Sequence, residues 1–252
     1  MTTKSPWLAT CRPNSKAAIR LFCFPYAGGS DSIFRSWQGS FPDAIEVCPV
    51  QLPGRGARIM EPPFTEIGPL LQDATVALAP YLDKPFAIFG HSMGALIGFE
   101  MARLLRRDYA LQPIHLFVSG RCSPQTTIER NAKEPSDAEF INLLSRYNSA
   151  LREVIEDPEL MELMLPVIRA DYTMCRSYQY SPAPPFDCSI TALGGLLDPT
   201  VGRKCIEGWR EHTRDTFIMR MLPGDHFFVN SERALVLAAI ARELYCHARD
   251  LA

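Results

Sequence analysis

One stretch, FAIFGHSMGALIGFE at residues 86–100, constrains the fold of this chain more than any other. An apolar run of strand length enters Gly-His-Ser-Met-Gly, and an apolar pattern with helical spacing follows at once. A strand-to-helix corner of this kind forces its central residue into a strained backbone conformation and needs glycine two positions to either side. The stretch therefore predicts a buried strand, a nucleophile at Ser92 and a helix that starts directly behind it.

The rest of the chain alternates between short apolar runs and longer segments with helical periodicity. The predicted strands cover residues 19–25, 45–53, 86–90, 114–120, 189–195 and 217–224, and the predicted helices cover residues 68–82, 93–107, 201–213 and 231–248. The strands are continuous apolar runs, which is typical of strands covered on both faces. The alternation predicts an α/β fold with a mostly parallel central sheet and helices on both faces.

The segment at about 122–186 interrupts this alternation because it contains no convincing strand. It holds helical patterns near residues 137–147 and 157–177. It leaves the sheet two strand–helix steps after the serine corner, on the side where open α/β sheets bind ligands. We interpret it as a helical lid inserted into a single domain of residues 1–252, and an extra packing layer is the alternative.

Composition and charge exclude several classes of protein. A net charge of −2 and a pI of about 6.2 give no sign of nucleic-acid binding. The N-terminus is too polar for a signal peptide, and no apolar run approaches the ~18 residues that span a membrane. A cytoplasmic monomer that does not enter membranes is the expectation. The eight cysteines form no CxxC pair and are interpreted as small buried side chains, not as a disulfide framework or a metal site.

A serine nucleophile needs a base, and the base needs a carboxylate that orients it. The predicted base is His226, because it lies in MLPGDHFFV on a loop directly after the last predicted strand. His91 adjoins the serine in a tight corner, where neighbouring side chains diverge. Of the remaining histidines, one opens a strand and two lie in the last turns of helices, where a cation suits the helix dipole. These are His115, His212 and His247.

The predicted acid is Asp198, in ALGGLLDPTV, since it follows a strand and so lies at the same end of the sheet as Ser92. The alternative for Asp198 is a helix N-cap. Asp225 is read as a turn residue, because an immediate neighbour of His226 can hardly face its imidazole. Two further aspartates at the insertion are interpreted as surface charges, namely Asp171 and Asp187.

A tetrahedral intermediate needs two N–H donors for its oxyanion. The first predicted donor is the backbone N–H of Met93, directly after the nucleophile. The second is the N–H of Ala27 in FPYAGGS, a glycine-rich loop after the first strand, for which an ordinary turn is the alternative. LPGRG, residues 52–56, is interpreted as a structural loop at the rim. Neither a dinucleotide-binding or phosphate-binding glycine motif nor a metal-spaced cluster occurs in the sequence, so no cofactor and no metal are expected.

Six stretches together resemble the type II thioesterases that accompany non-ribosomal peptide and polyketide synthases, within the α/β-hydrolase superfamily. They are LFCFPYAGGS, LPGRG, FGHSMGA, ALGGLLDPTV, GWREHT and MLPGDHFF, and the resemblance covers nearly the whole chain. Carried over residue by residue, it implies an α/β-hydrolase fold, a nucleophile, an acid and a base, and two oxyanion donors. These residues are Ser92, Asp198 and His226 for the triad, with Ala27 and Met93 at the oxyanion hole.

The resemblance also implies a substrate and a partner. Such enzymes hydrolyse acyl or aminoacyl thioesters from the phosphopantetheine arm of acyl or peptidyl carrier proteins, which they bind transiently, and so clear misprimed or stalled groups. The arm is expected to enter beneath the lid. Four alternatives stay open: a medium-chain fatty acyl carrier-protein thioesterase, a small-molecule esterase, a cyclising thioesterase and a catalytically inactive binding protein.

Overall fold

The computed structural model describes residues 5–126, 136, 139–140 and 157–250. A sheet of six strands forms its centre, and all five neighbouring pairs are parallel in the order β2-β1-β3-β4-β5-β6. The strands are β1 (Ile19–Phe24), β2 (Ile45–Pro49), β3 (Phe86–His91), β4 (His115–Ser119), β5 (Ser189–Gly195) and β6 (Phe217–Leu222). The predicted parallel sheet is confirmed, and each predicted strand is present.

Six α-helices connect or cover these strands in the described part of the chain. They are α1 (Ile67–Leu78), α2 (Met93–Tyr109), α3 (Pro158–Ser177), α4 (Arg203–Glu207), α5 (Phe228–Ser231) and α6 (Arg233–Asp250). Asp157 caps the N-terminus of α3, since its side chain accepts hydrogen bonds from two N–H groups of the first turn. The helix predicted near residues 137–147 lies almost wholly outside the described residues, as does much of the predicted lid.

The helices lie on both faces of the sheet, as predicted, and bury two apolar cores. Helices α1, α2 and α4 share one core with the side chains of one sheet face. Helix α6 and the 3-10 helix Asp31–Trp37 share the other. Because both faces are covered, every residue of β2, β3, β4 and β5 is buried, which explains the continuous apolar runs.

Several element bounds differ from the prediction by a few residues, and two of the differences have identifiable reasons. Strand β6 ends at Leu222, before Pro223, which has no N–H to donate to a neighbouring strand. The helix predicted over residues 201–213 is α4 followed by a 3-10 helix, Gly208–His212. Trp209 of that 3-10 turn is fully buried and donates its indole N–H to the backbone oxygen of Arg121 at 2.8 Å.

The interpretation of the cysteines as small buried side chains was wrong for the two that pair and for Cys246, which is exposed, and Cys175 is only partly buried. Cys122 and Cys205, 83 residues apart, form a disulfide. It joins the segment after β4 to α4, and these elements meet because β4 and β5 are neighbours in the sheet. Four of the others are buried as expected, namely Cys11, Cys23, Cys48 and Cys188.

The carboxyl ends of the parallel strands bring four loops to one edge of the sheet. Residues 25–30, here called the glycine loop, follow β1, and Ser92 follows β3. Asp198 follows β5 and His226 follows β6. Among the described helices, none combines the length and apolar character that crossing a bilayer would require.

Candidate active site

Ser92 occupies the strained corner that its sequence predicts. Its backbone has φ 53° and ψ −111°, and its N–H donates to the backbone oxygen of Ser119 at 2.7 Å. A Cβ on Gly90 would lie 2.1 Å from the backbone oxygen of Gly94, and one on Gly94 would lie 2.1 Å from that of Phe24. Both glycines are therefore required, because β3, the first turn of α2 and the end of β1 pack at backbone distance.

The structure brings the three predicted triad residues into one hydrogen-bonded line. Ser92 Oγ lies 3.1 Å from His226 Nε2, and His226 Nδ1 lies 2.6 Å from Asp198 Oδ2. The Ser92 side chain makes no capping bond to α2, so its hydroxyl is not engaged as a helix cap. The sheet edge thus unites residues separated by 134 and 28 positions. This order of groups is the one required to take a proton from a serine hydroxyl.

Asp198 is held on both of its oxygens. While Oδ2 faces the histidine, Oδ1 accepts from Thr200 N and Thr200 Oγ1, both at 2.8 Å, and from Val201 N at 3.0 Å. Burial by itself raises the pKa of Asp198, but the hydrogen bonds from His226 and Thr200 outweigh it, and the net pKa is lowered. The carboxylate therefore stays charged and favours the proton on His226 Nδ1, so that Nε2 can accept the hydrogen bond of the Ser92 hydroxyl. Because α4 starts only at Arg203, Asp198 caps a turn and not a helix.

His91 supports the triad histidine from behind, a role that the sequence did not reveal. Its Nε2 lies 2.9 Å from the backbone oxygen of His226, and its Nδ1 lies 2.8 Å from Ser119 Oγ. Burial, followed by the nearby His226, lowers the pKa of His91 to about 3, so the ring is neutral. A neutral ring that faces a carbonyl oxygen carries its proton on Nε2 and accepts from the serine at Nδ1. His91 therefore fixes the His226 loop and takes no part in the triad.

The glycine loop forms a turn beside the serine corner. Gly29 N donates to Tyr26 O at 2.9 Å, which places Ala27 within the turn. Tyr26 packs edge-on against Phe227 at a centroid distance of 5.0 Å. Met93 is the first residue of α2, so its N–H has no acceptor within the helix. The roles of Ala27 and Met93 as oxyanion donors stay predictions.

The interpretation of Asp171 as a surface charge was wrong. Its side chain is 1% exposed and meets the 3% exposed Arg55 of LPGRG in a two-bond ion pair. Arg55 Nη1 donates to Asp171 Oδ2 at 2.5 Å and Nη2 donates to Oδ1 at 2.8 Å. The pairing explains the burial, because a buried carboxylate needs a countercharge. Asp187 is exposed, as expected, and lies 3.7 Å from Arg214.

The structure also tests the predictions for His212, expected as a cation at a helix end, and for Asp225, expected as a turn residue. His212 is buried and its Nε2 lies 2.5 Å from Gln125 Oε1. Burial, followed by the Arg103 charge, lowers the pKa of His212 to about 4, so the predicted cation at a helix end was wrong. Asp225 accepts from Phe227 N at 2.8 Å, which fits the predicted turn role.

A cavity of about 250 Å³ adjoins Ser92 and His226. The described residues that line it come from three places: the segment after β4, the end of α3 and the turn that holds Asp198. They include Arg121, Cys122, Cys175, Tyr178 and Val201. A larger groove of about 850 Å³ lies between α1, α2 and residues 177–187, and contains none of the three triad residues. The smaller cavity is therefore the candidate site for an acyl group.

One cluster away from the triad has the composition of a metal site. Cys11, Glu46 and Cys48 are buried, and their ligand atoms lie within 4.8 Å of one another. Arg20 Nε lies 3.4 Å from Glu46 Oε2 and supplies a countercharge. The hydrogen bond between the Cys11 and Cys48 thiols, followed by burial, raises the pKa of Cys48 well above its ordinary value. The Cys48 thiol is thus protonated and uncharged, and the charge of Glu46 is offset by Arg20.

Comparison with known proteins identifies close relatives. Residues 19–244 match the thioesterase domain family. LgrE of Brevibacillus parabrevis, named linear gramicidin dehydrogenase, is 44% identical over 244 residues, which cover 95% of this chain and 93% of LgrE. The medium-chain S-acyl fatty acid synthase thioesterase of Rattus norvegicus is 33% identical over 221 residues, 86% of this chain and 83% of its own.

The fold is also similar to solved structures of thioesterases. RedJ, a thioesterase from the prodiginine biosynthetic pathway of Streptomyces coelicolor, superposes with a TM-score of 0.83 at 38% identity over 92% of this chain and 88% of its own. YbtT, a type II thioesterase from the yersiniabactin NRPS/PKS pathway, superposes with a TM-score of 0.79 at 32% identity, over 94% and 96% of the two chains.

Proposed function

Because this chain belongs to the thioesterase family and has the α/β-hydrolase fold, we propose that it is a stand-alone editing thioesterase. It hydrolyses aberrant or stalled acyl and aminoacyl thioesters from the phosphopantetheine arm of carrier proteins in non-ribosomal peptide or polyketide biosynthesis. The observation that carries the proposal is the Ser92–His226–Asp198 line beside a small cavity, in a chain that resembles type II thioesterases along its length.

The reaction starts when the Ser92 hydroxyl attacks the thioester carbonyl and His226 Nε2 takes the hydroxyl proton. Asp198 stabilises the imidazolium that forms, since its lowered pKa keeps it charged. The N–H groups of Ala27 and Met93 donate to the oxyanion. The pantetheine sulfur then leaves as a thiol with the proton from His226, and it leaves readily because thiols are far more acidic than alcohols.

Water completes the cycle. His226 Nε2 takes a proton from a water molecule, and the resulting hydroxide attacks the acyl carbon of the Ser92 ester. The bond from that carbon to Ser92 Oγ then breaks, His226 returns the proton to Oγ, and the carboxylic acid is released. Editing requires that water reaches the acyl-enzyme, whereas a cyclising thioesterase must exclude it. The cavity beside Ser92 is lined by both polar and apolar side chains, Arg121 and Thr200 among the polar ones, which supports access of water. The apolar part of such a lining discriminates between acyl chains that differ by one methylene by only ~1–3 kcal/mol, so the enzyme is expected to accept a broad range of acyl groups.

The dehydrogenase activity in the name of LgrE is not carried over to this chain. A dinucleotide-binding motif of the G-x-G-x-x-G type does not occur in the sequence. The hydrogen-bonded serine line instead suits acyl transfer without a cofactor. Cofactor-free hydrolysis is therefore part of the proposal, and so is transient binding of carrier proteins by a monomer in the cytoplasm.

The test is a panel of carrier proteins loaded with acetyl, short branched, aminoacyl and C8–C12 acyl groups, read by intact mass. We expect release of short acyl and aminoacyl groups by the wild type and none by Ser92→Ala, whose fold is checked by circular dichroism. Retained turnover in Ser92→Ala would refute the nucleophile assignment. Faster release of C8–C12 groups than of acetyl would favour the fatty acyl alternative, and preference for free esters over carrier-bound thioesters would favour a small-molecule esterase.

A further inference from the structure

Helix α3 holds the glycine loop through a single buried carboxylate. Asp171 Oδ2 accepts from the backbone N–H of Gly28 at 2.7 Å and, at the same time, from Arg55 Nη1 at 2.5 Å. Arg55 Nε also donates to the backbone oxygen of Pro53 at 3.1 Å. One side chain therefore joins three segments: α3, the loop after β1 and the loop after β2.

The bonded peptide unit is the one directly next to the predicted oxyanion donor. The peptide that carries the Gly28 N–H begins at the carbonyl of Ala27, so the bond to Asp171 restrains the backbone on the carboxyl side of Ala27. Gly28 has φ +75°, and a Cβ there would lie 2.8 Å from Ile168 Cγ1 of α3. Helix α3 thus contacts the backbone of the glycine loop itself. The nitrogen of Ala27 is only three covalent bonds away from the nitrogen of Gly28, so the position of Gly28 determines where the Ala27 N–H points.

A buried ion pair is a costly means of stabilising a fold, because apolar side chains of similar size often stabilise as well. Its effect is to fix one arrangement, since an aspartate or arginine that loses its partner stays buried and uncompensated. Asp171 and Arg55 are almost fully inaccessible, so solvent does not replace either partner. This arrangement suits a site where one N–H must point at a developing charge before the reaction begins.

We propose that Asp171, with Arg55 as its countercharge, is a positioning residue that sets the direction of the Ala27 N–H in the oxyanion hole. The inference rests on the proposed serine hydrolase function and adds residues that neither contact the substrate nor belong to the triad. It also couples α3, which belongs to the predicted lid, to the chemistry at Ser92. Displacement of α3 moves Gly28 and so weakens the hole.

The test compares Asp171→Asn and Arg55→Gln with a matched control, Arg20→Gln. Arg20 belongs to another mostly buried ion pair, with Glu46, near the amino ends of β1 and β2 and hence at the opposite edge of the sheet. All three variants are expected to lower Tm. Asp171 and Arg55 are here called the clamp, and only the two clamp variants should lower kcat. We expect a fall of about 10- to 100-fold with KM within about threefold, since loss of one oxyanion donor costs about 10²–10³ in kcat.

Two readouts separate positioning from general destabilisation. Rates are measured on an acyl-pantetheine thioester well below the Tm of each variant. Binding of an alkyl boronic acid is measured in parallel, because its tetrahedral adduct with Ser92 directs an oxygen at the hole and should weaken by the same factor as kcat. Should Asp171→Asn fail to fold, Arg55→Lys is the substitute, because it keeps a buried cation. It is expected to lower kcat by about three- to tenfold while KM stays nearly unchanged.

The proposal is overturned if the folded clamp variants keep kcat within twofold of wild type, or if Arg20→Gln lowers kcat as much as they do. Failure of the proposed function is a different result, namely wild-type protein that hydrolyses no thioester. The clamp can then still be tested on any activated ester that the wild type turns over through Ser92.

Discussion

Replacing Asp198 with asparagine exchanges one oxygen for an amide nitrogen, yet it should remove nearly all activity. Asp198 Oδ1 accepts from three donors, on Thr200 and Val201, whereas Oδ2 accepts from one, His226 Nδ1. In Asp198→Asn the amide oxygen keeps the side with three donors, so the NH₂ group faces the imidazole. An NH₂ group is a donor and forces the His226 proton to Nε2.

With a proton on Nε2, His226 can no longer accept one from Ser92. A wrong tautomer of this kind costs about 10⁴ in kcat in a comparable triad, or ~5.5 kcal/mol of activation free energy at 1.36 kcal/mol for each tenfold. Stability should change little, because the turn at Thr200 keeps its acceptor. Asp198→Ala, by contrast, leaves those donors unpaired and should cost a further ~1–3 kcal/mol of unfolding free energy.

The assay is hydrolysis of an acetyl-loaded carrier protein under single-turnover conditions, with thermal denaturation of the same samples. We expect Asp198→Asn to retain the wild-type Tm within a few degrees and to lose activity. A loss below tenfold would contradict the tautomer argument and point to another acid, Asp225 first. A large fall in Tm for Asp198→Asn would show that the amide does not keep its oxygen toward Thr200.

Three other predictions concern the fold around the site. Gly94→Ala places a Cβ 2.1 Å from the backbone oxygen of Phe24 and should cost at least ~4 kcal/mol or prevent folding, so wild-type thermal stability in this variant would contradict the packing. Three histidines have depressed pKa values and stay neutral in the folded protein, namely His91, His115 and His212. The unfolding free energy from urea titrations should therefore fall as pH is lowered from about 6.5 to about 4, by up to ~1.4 kcal/mol per pH unit for each histidine that protonates only when unfolded. An unfolding free energy that does not change over this pH range would contradict the depressed pKa values. Reduction of the Cys122–Cys205 disulfide should lower stability by about 2–4 kcal/mol, and the double serine variant should no longer respond to reductant.

The positions of the triad residues could be predicted because they depend on short-range patterns and chain order. Apolar runs predicted the strands, and loops after parallel strands meet at one edge, so Ser92, Asp198 and His226 were expected at the same end of the sheet. The structure adds the distances that join them. The glycines around Ser92 were also interpretable, because a sharp corner excludes a Cβ whatever the rest of the chain does.

The burial of Asp171 could not be predicted from local sequence patterns. A charged residue in an apparent surface helix is normally solvated, and its burial depends on Arg55, 116 residues earlier in the chain. The disulfide and the support of His226 by His91 depend in the same way on distant partners. Sequence alone determined the strand order along the chain, the serine corner and the residue types of the triad, since periodicity and backbone sterics are local. Only the tertiary structure decided which charges are buried and which loops are tied together, because the free energy of a buried polar group depends on the partner that the fold brings to it.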